Sequence, residues 1–212
     1  QLQTAQPGGR IEYIWNERSA TALYKTPVPI KEPGTYTAFY YKDGAIVNKI
    51  TETFHFHKAI GKKASITKMP NDKYRGQGGA FGLLNGVYAD KDLSHPDWLG
   101  WIGEDIDATI DMGKKTVFNT VKLHTLDQNG SWVYLPQYVE VFISNDGKKF
   151  QSVGRSSSFT KDKLNMGFIS ISFKETNARY IKVIAKNAGI IPEGQPGAGN
   201  KAWIFADEIM VF

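Results

Sequence analysis

The chain contains no cysteine, which excludes disulfides, thiolate metal sites and cysteine nucleophiles together. It has no apolar run long enough to span a bilayer. Residues 1–9 carry neither the basic segment nor the apolar stretch of a secretion signal, so the chain reads as a piece of a longer protein or a processed mature form. Helical heptads are absent, and so is any internal repeat or low-complexity tract. The formal charge of +5 comes from Lys and Arg interspersed with Asp and Glu. Without a basic stripe there is no footprint for nucleic acid. A phosphate loop, a dinucleotide fingerprint and a Ser, His and Asp constellation are also missing, which argues against an independent enzyme.

What is present points to an all-β protein. Aromatic residues make up 13% of the 212 positions and glycine occurs 21 times, a composition of short strands and rich loops. Ile106, Ala108, Ile110 and Met112 alternate with Asp105, Asp107, Thr109 and Asp111, the period of two of a strand with one buried face. Val139, Val141 and Ile143 alternate in the same way with Tyr138, Glu140 and Phe142, and the run ends at Asp146 and Gly147, residues suited to a tight turn. Further strands are expected at about 64–69, 117–126, 168–173, 179–185 and 204–211. Three long connections separate them, Gly76–Gly103, Asp127–Gln137 and Lys186–Trp203. Connections of that length inside a compact domain usually carry function.

The first sixty residues read as a separate small β unit of about six strands, punctuated by Pro27, Pro29, Pro33 and Gly34. Lys58–Lys63, with Gly61 among lysines, is the expected junction, which gives domains at 1–59 and 60–212. His55 and His57 lie two apart on one strand face and read as exposed histidines. With no third ligand nearby in sequence they make no metal site. The acidic set Glu104, Asp105, Asp107 and Asp111 reads as a solvated face, not as the carboxylate pair of a glycosidase.

Leu84, Asn85 and Gly86, then Trp98–Trp101, Ala108–Gly113, Ser144–Phe150, Arg179–Val183 and Ala206–Val211, in that order, resemble the coagulation factor 5/8 type C, or discoidin-like, domain. Within that superfamily the pattern is most similar to carbohydrate-binding module family 32, a galactose-binding-like β-sandwich, over about residues 60–212. Gly103–Asp107 and Gly130–Pro136 resemble the copies attached to bacterial family 20 β-N-acetylhexosaminidases. Tyr13, Ser19–Tyr24, Pro27–Ile30 and Gly34–Tyr40 resemble the small immunoglobulin-like domain of chitobiase-type enzymes, although its early Asp-Gly turn is not evident near Trp15 and Asn16.

The resemblance implies a non-catalytic tail of an exported glycoside hydrolase, monomeric and outside the cytoplasm. Its implied partners are a galactose- or N-acetylhexosamine-containing glycan and the parent catalytic domain. The alternative is a structural accessory that packs on the catalytic domain and binds no sugar. Membrane attachment is disfavoured because the candidate loops mix aromatics with Asp and Glu.

A sugar needs flat apolar faces for its CH groups and a few fixed polar groups for its hydroxyls. Trp98, Trp132 and Tyr134 in the long connections, with Asp97 and Glu193 beside them, are the candidate binding residues. For these aromatics, packing and ligand contact stay open. Trp101 and Trp203, next to strand starts, read as plugs at the ends of the core. The Gly- and Pro-rich stretch Ala188–Asn200 suits either close approach to a ligand or an uncommitted loop. The resemblance also implies a structural Ca2+ near the Asp-Gly turn, with Asn85 at the Asp position, Glu208 as the late carboxylate and Asp90 as an additional ligand. An amide in place of a carboxylate weakens that charge complement.

Overall fold

The computed structural model describes residues 2–17 and 20–212, which fall into two compact units, Gln1–Phe56 and His57–Phe212. Ser19, part of the resemblance in the first unit, lies outside the described residues.

The first unit is one antiparallel sheet of β1 (Arg10–Trp15), β2 (Ala22–Leu23), β3 (Gly34–Lys42) and β4 (Ala45–Phe54), in the order β2-β1-β3-β4. Register places Tyr13 opposite Ala38 and Trp15 opposite Tyr36, so one face collects the aromatic rings. Tyr13 and Tyr36 stack with centroids 5.0 Å apart. Burial raises the Tyr36 phenol to about 12. Four strands are described where the sequence suggests six. Proline cannot donate to a ladder, and Pro27, Pro29 and Pro33 keep residues 25–33 out of the sheet. β4 stops at Phe54, so His55–His57 form no strand of their own.

The second unit contains β5 (Lys63–Ile66), β6 (Leu99–Ile102), β7 (Ile106–Leu126), β8 (Val139–Ser144), β9 (Gln151–Ser156), β10 (Phe159–Lys161), β11 (Met166–Ala185) and β12 (Trp203–Val211). β7 and β11 are each read from sequence as two strands, and each is a single long one. The first half of β7 pairs with β5 and with the end of β11, which continues through β8 to β9. Its second half pairs with β12 and the start of β11, with β6 and β10 outermost. Two layers thus share their longest strands.

The change of layer is written into both strands. Gly113 adopts φ +80° between the halves of β7, and β11 shifts register between Ser172 and Thr176 and again between Ala178 and Tyr180. Core-facing positions of β7 keep even parity through Ile106, Ala108, Ile110, Met112 and Phe118 and switch to odd at Val121 and Leu123, and all seven join one core. Val139, Val141, Ile181, Val183, Ile204 and Ile209 close it from the other strands. The result is an all-β sandwich of the jelly-roll type. On its outer surface, Asp105, Asp107 and Asp111 each face a cation on or just after β11: Lys186 at 3.0 Å, Lys182 at 3.6 Å and Arg179 at 2.8 Å.

Candidate functional site

The three long connections meet at one end of the sandwich. Asn129–Ser131 forms a 3₁₀ turn that leaves Trp132 in a left-handed conformation at φ 65°, and this turns the following residues toward β12. There the Tyr134 N–H donates to the Trp203 carbonyl at 3.0 Å, and the Trp203 N–H donates to the Trp132 carbonyl at 2.9 Å. The 186–203 connection folds over the outside of the same loop. Gly197, at φ +84°, lies so close to the Trp132 indole that a β-carbon would fall 2.6 Å from its atoms, and the Tyr134 hydroxyl donates to the Pro196 carbonyl at 2.9 Å. Glycine is required at 197 for both reasons.

Between these loops and the first connection lies a hollow of about 260 Å³, lined by Lys73, Tyr74, Leu93, Ser131 and Trp203 over a floor of Val133 and Phe205. Tyr74 stands edge-on to Trp203 at 5.4 Å and to Phe205 at 4.8 Å, which fixes its ring. A second hollow of about 290 Å³ shares Lys73, Tyr74 and Leu93 and adds Arg75, Ser94 and His95. Together they form a groove with an aromatic waist and a polar rim. An amphipathic ring offers CH groups to aromatic faces and hydroxyls to such a rim.

Of the residues singled out from sequence, Trp132 and Tyr134 come together with the 193–200 turn on the outer side of this end. Trp132 remains 39% exposed, while Tyr134 is partly buried. Glu193 sits on the exposed turn closed by the Gln195 N–H to the Pro192 carbonyl and lines neither hollow. Trp98 and Asp97 require correction. Trp98 is 1% exposed, stacks on His124 at 5.5 Å and donates its Nε1–H to the Lys91 and Asp92 carbonyls. It braces the loop and lines the second hollow from beneath, but His124 covers one face and almost none of the ring is left exposed to a sugar. Asp97 is likewise buried, which raises its carboxyl above the usual range. Trp101 is a core plug as read, with Nε1 donating to the Lys68 carbonyl at 2.7 Å. Trp203 is not: it is only partly buried and forms a wall of the groove.

Lys73, Tyr74 and Leu93 escape a reading by sequence, whereas Ser131 and His95 lie in or beside the long connections that it singles out. Tyr74 carries the one available signal, an aromatic in a short turn capped by Asn71, whose Oδ1 accepts the Lys73 N–H, just ahead of glycines 76, 78 and 79.

A family model for the F5/8 type C domain matches residues 65–203. The chain belongs to the F5/8 type C domain family. Among solved structures, a mutant of the lectin binding domain of Lectinolysin complexed with Lewis b is 24% identical to this F5/8 type C protein. It covers 74% of the chain with 95% of its own length, at a TM-score of 0.50. Chitosan-binding module 1 of a chitosanase/glucanase from Paenibacillus sp. IK-5 is 17% identical over 74% of this chain and 99% of its own, at 0.46. A Clostridium perfringens family 32 module in complex with GalNAc-β-1,3-galactose is 18% identical over 71% and 94%, also at 0.46. At such identities, what is shared is the fold. No curated protein matches the chain.

The F5/8 type C resemblance implies Ca2+ at Asn85, Asp90 and Glu208, and the residues do not fit it. Calcium takes six to eight oxygens at roughly 2.3–2.6 Å. Here Glu208 Oε1 meets His57 Nε2 at 2.8 Å, and Oε2 accepts the Gly86 N–H at 3.1 Å. Asn85 Oδ1 accepts the Val87 N–H at 2.7 Å. Asp90 points outward, 3.6 Å from Lys163 and 3.9 Å from His95. Among the described residues no three acidic, histidine or cysteine side chains are placed to hold a metal ion. His57 is also not the exposed strand histidine that its sequence position suggests: its side chain and that of Glu208 are both 0% exposed. Burial, with the charge of Asp207 beside it, raises the Glu208 carboxyl above its usual range.

Proposed function

We propose that the second unit is a non-catalytic carbohydrate-binding module that holds a galactose- or N-acetylhexosamine-containing glycan in the groove around Tyr74 and Trp203. The observation that carries this reading is the convergence of all three long loops on one aromatic-waisted groove, two adjoining hollows rimmed by Lys73 and Ser131 and by Ser94 and His95. The glycan-bound complexes among structures of the same fold support it. Its parent is a glycoside hydrolase acting outside the cytoplasm, a family 20 β-N-acetylhexosaminidase in the finer reading. The first unit is then the immunoglobulin-like domain that precedes the module. Holding a polymeric glycan beside the catalytic domain raises the effective substrate concentration without any chemistry in the module itself.

The test is a titration of the chain with a panel of monosaccharides and host glycans, followed by tryptophan fluorescence. Saturable binding to the galactose or N-acetylhexosamine members, lost in Tyr74→Ala and Trp203→Ala, is the expected result. A flat response across the panel from a folded chain would leave the second unit as a structural accessory of its parent.

A further inference from the structure

We infer that this F5/8 type C domain fastens the loop of residues 85–92 with two buried histidine–carboxylate pairs, His57–Glu208 and His124–Asp207, in place of a divalent cation. Asp207 and Glu208 are consecutive in β12, where side chains ordinarily point to opposite faces. A register shift between Ala206 and Glu208 breaks that alternation, and both carboxylates reach the same loop. Glu208 Oε2 takes the Gly86 N–H and Asp207 Oδ2 takes the Ala89 N–H, while the remaining oxygens face His57 at 2.8 Å and His124 at 2.7 Å.

The tautomer of His57 follows from its surroundings. Its Nδ1 accepts the Ala59 N–H at 3.2 Å and the Val211 N–H at 3.4 Å, so the proton sits on Nε2 and is donated to Glu208. The ring thus occupies the approach to Glu208 Oε1. The Lys58 N–H, which donates to the Val211 carbonyl at 2.8 Å, holds the segment beside β12. The loop contributes donors at this spot: Gly86 and Ala89 to the two carboxylates, Val87 to Asn85 Oδ1. Calcium takes oxygen donors, and turning these peptides over to present their carbonyls would break three hydrogen bonds at once. Because the loop runs directly into Leu93, Ser94 and His95, one wall of the groove is set without metal.

The full chain is mixed with calcium chloride or with EDTA and followed by calorimetry, thermal unfolding and amide exchange. The inference expects no saturable calcium heat, a Tm that moves by less than about 1 °C between the two conditions, and equal protection of the Gly86 and Ala89 amides. One-to-one calcium binding with a rise in Tm that EDTA reverses would overturn it. A second measurement compares His57→Leu, which removes the donor, with His57→Gln, which keeps one. Exchange at Gly86 should quicken by about tenfold or more in the first and much less in the second, while strand β7 stays protected in both. Unchanged Gly86 protection in a folded His57→Leu chain would refute the fastening role. If that variant does not fold, the calcium and EDTA comparison on the wild-type chain decides.

Discussion

Two sets of tryptophans sit at the same end of the sandwich and do opposite things. Trp98 and Trp101, in and before β6, are fully buried and spend their indole N–H groups on backbone carbonyls. Trp132, on the 127–137 loop, and Trp203, at the start of β12, keep part of their rings open to solvent. The first pair sets where the loops go, and the second is what the loops present. An aromatic residue in a long connection is therefore no guide to function until its indole N–H and both of its faces are accounted for.

The sharpest way to break this contrast is Trp98→Ala. Removing a fully buried indole that braces both His124 and the 91–98 loop should cost about 3–5 kcal/mol in chemical denaturation. A loss below about 1 kcal/mol would move Trp98 out of the supporting set. Next comes Tyr74→Ala, which should weaken glycan binding by about tenfold or more while the Tm falls far less than in Trp98→Ala. Equal damage to stability in both variants would erase the distinction between wall and brace. A smaller effect is expected from Gly197→Ala. A left-handed backbone with a β-carbon costs roughly 1–2 kcal/mol, and the new methyl displaces the Trp132 indole, so the emission of that residue should shift. Unaltered emission and stability would show that the 186–203 loop does not lean on Trp132.

The smallest effect lies away from the loops, on the outer face of the sheet. Arg179 beside Asp111 holds that carboxyl down at about 2. A carboxylate with a depressed folded value adds stability that is present above its ordinary range near pH 4 and is lost as the pH falls through about 2. Asp111→Asn should cost less than about 1 kcal/mol at neutral pH, because the pair is partly solvated. It should also flatten the stability profile between about pH 4 and 2. An acid limb identical to that of the wild-type chain would remove this ladder from the account.

The alternation in residues 106–112 and 139–143 made the sandwich legible, because a period of two depends only on neighbours in sequence. The continuity of β7 and β11 was not legible, since the bends at Gly113 and Ser172–Tyr180 are defined by pairing with distant strands. The site followed the same division. The three connections that build the groove stood out by length, but its lining did not. Trp203 becomes a wall only because Tyr74 packs edge-on against it from 129 positions away in the chain. Trp98 loses its free face to His124, which arrives from β7. His57 meets Glu208 across a separation of 151 residues, a contact for which no local pattern exists.

The contrast between the two sets of tryptophans is tested most directly by the five indole N–H resonances in a nitrogen-correlated NMR spectrum, recorded while galactose or N-acetylgalactosamine is added. Trp203 should move progressively to saturation, with the Trp98 and Trp101 signals fixed at their carbonyl partners and Trp15, in the first unit, unchanged. Movement of Trp98 or Trp101 with Trp203 still, or no movement of any indole at saturating sugar, would contradict the assignment of the groove.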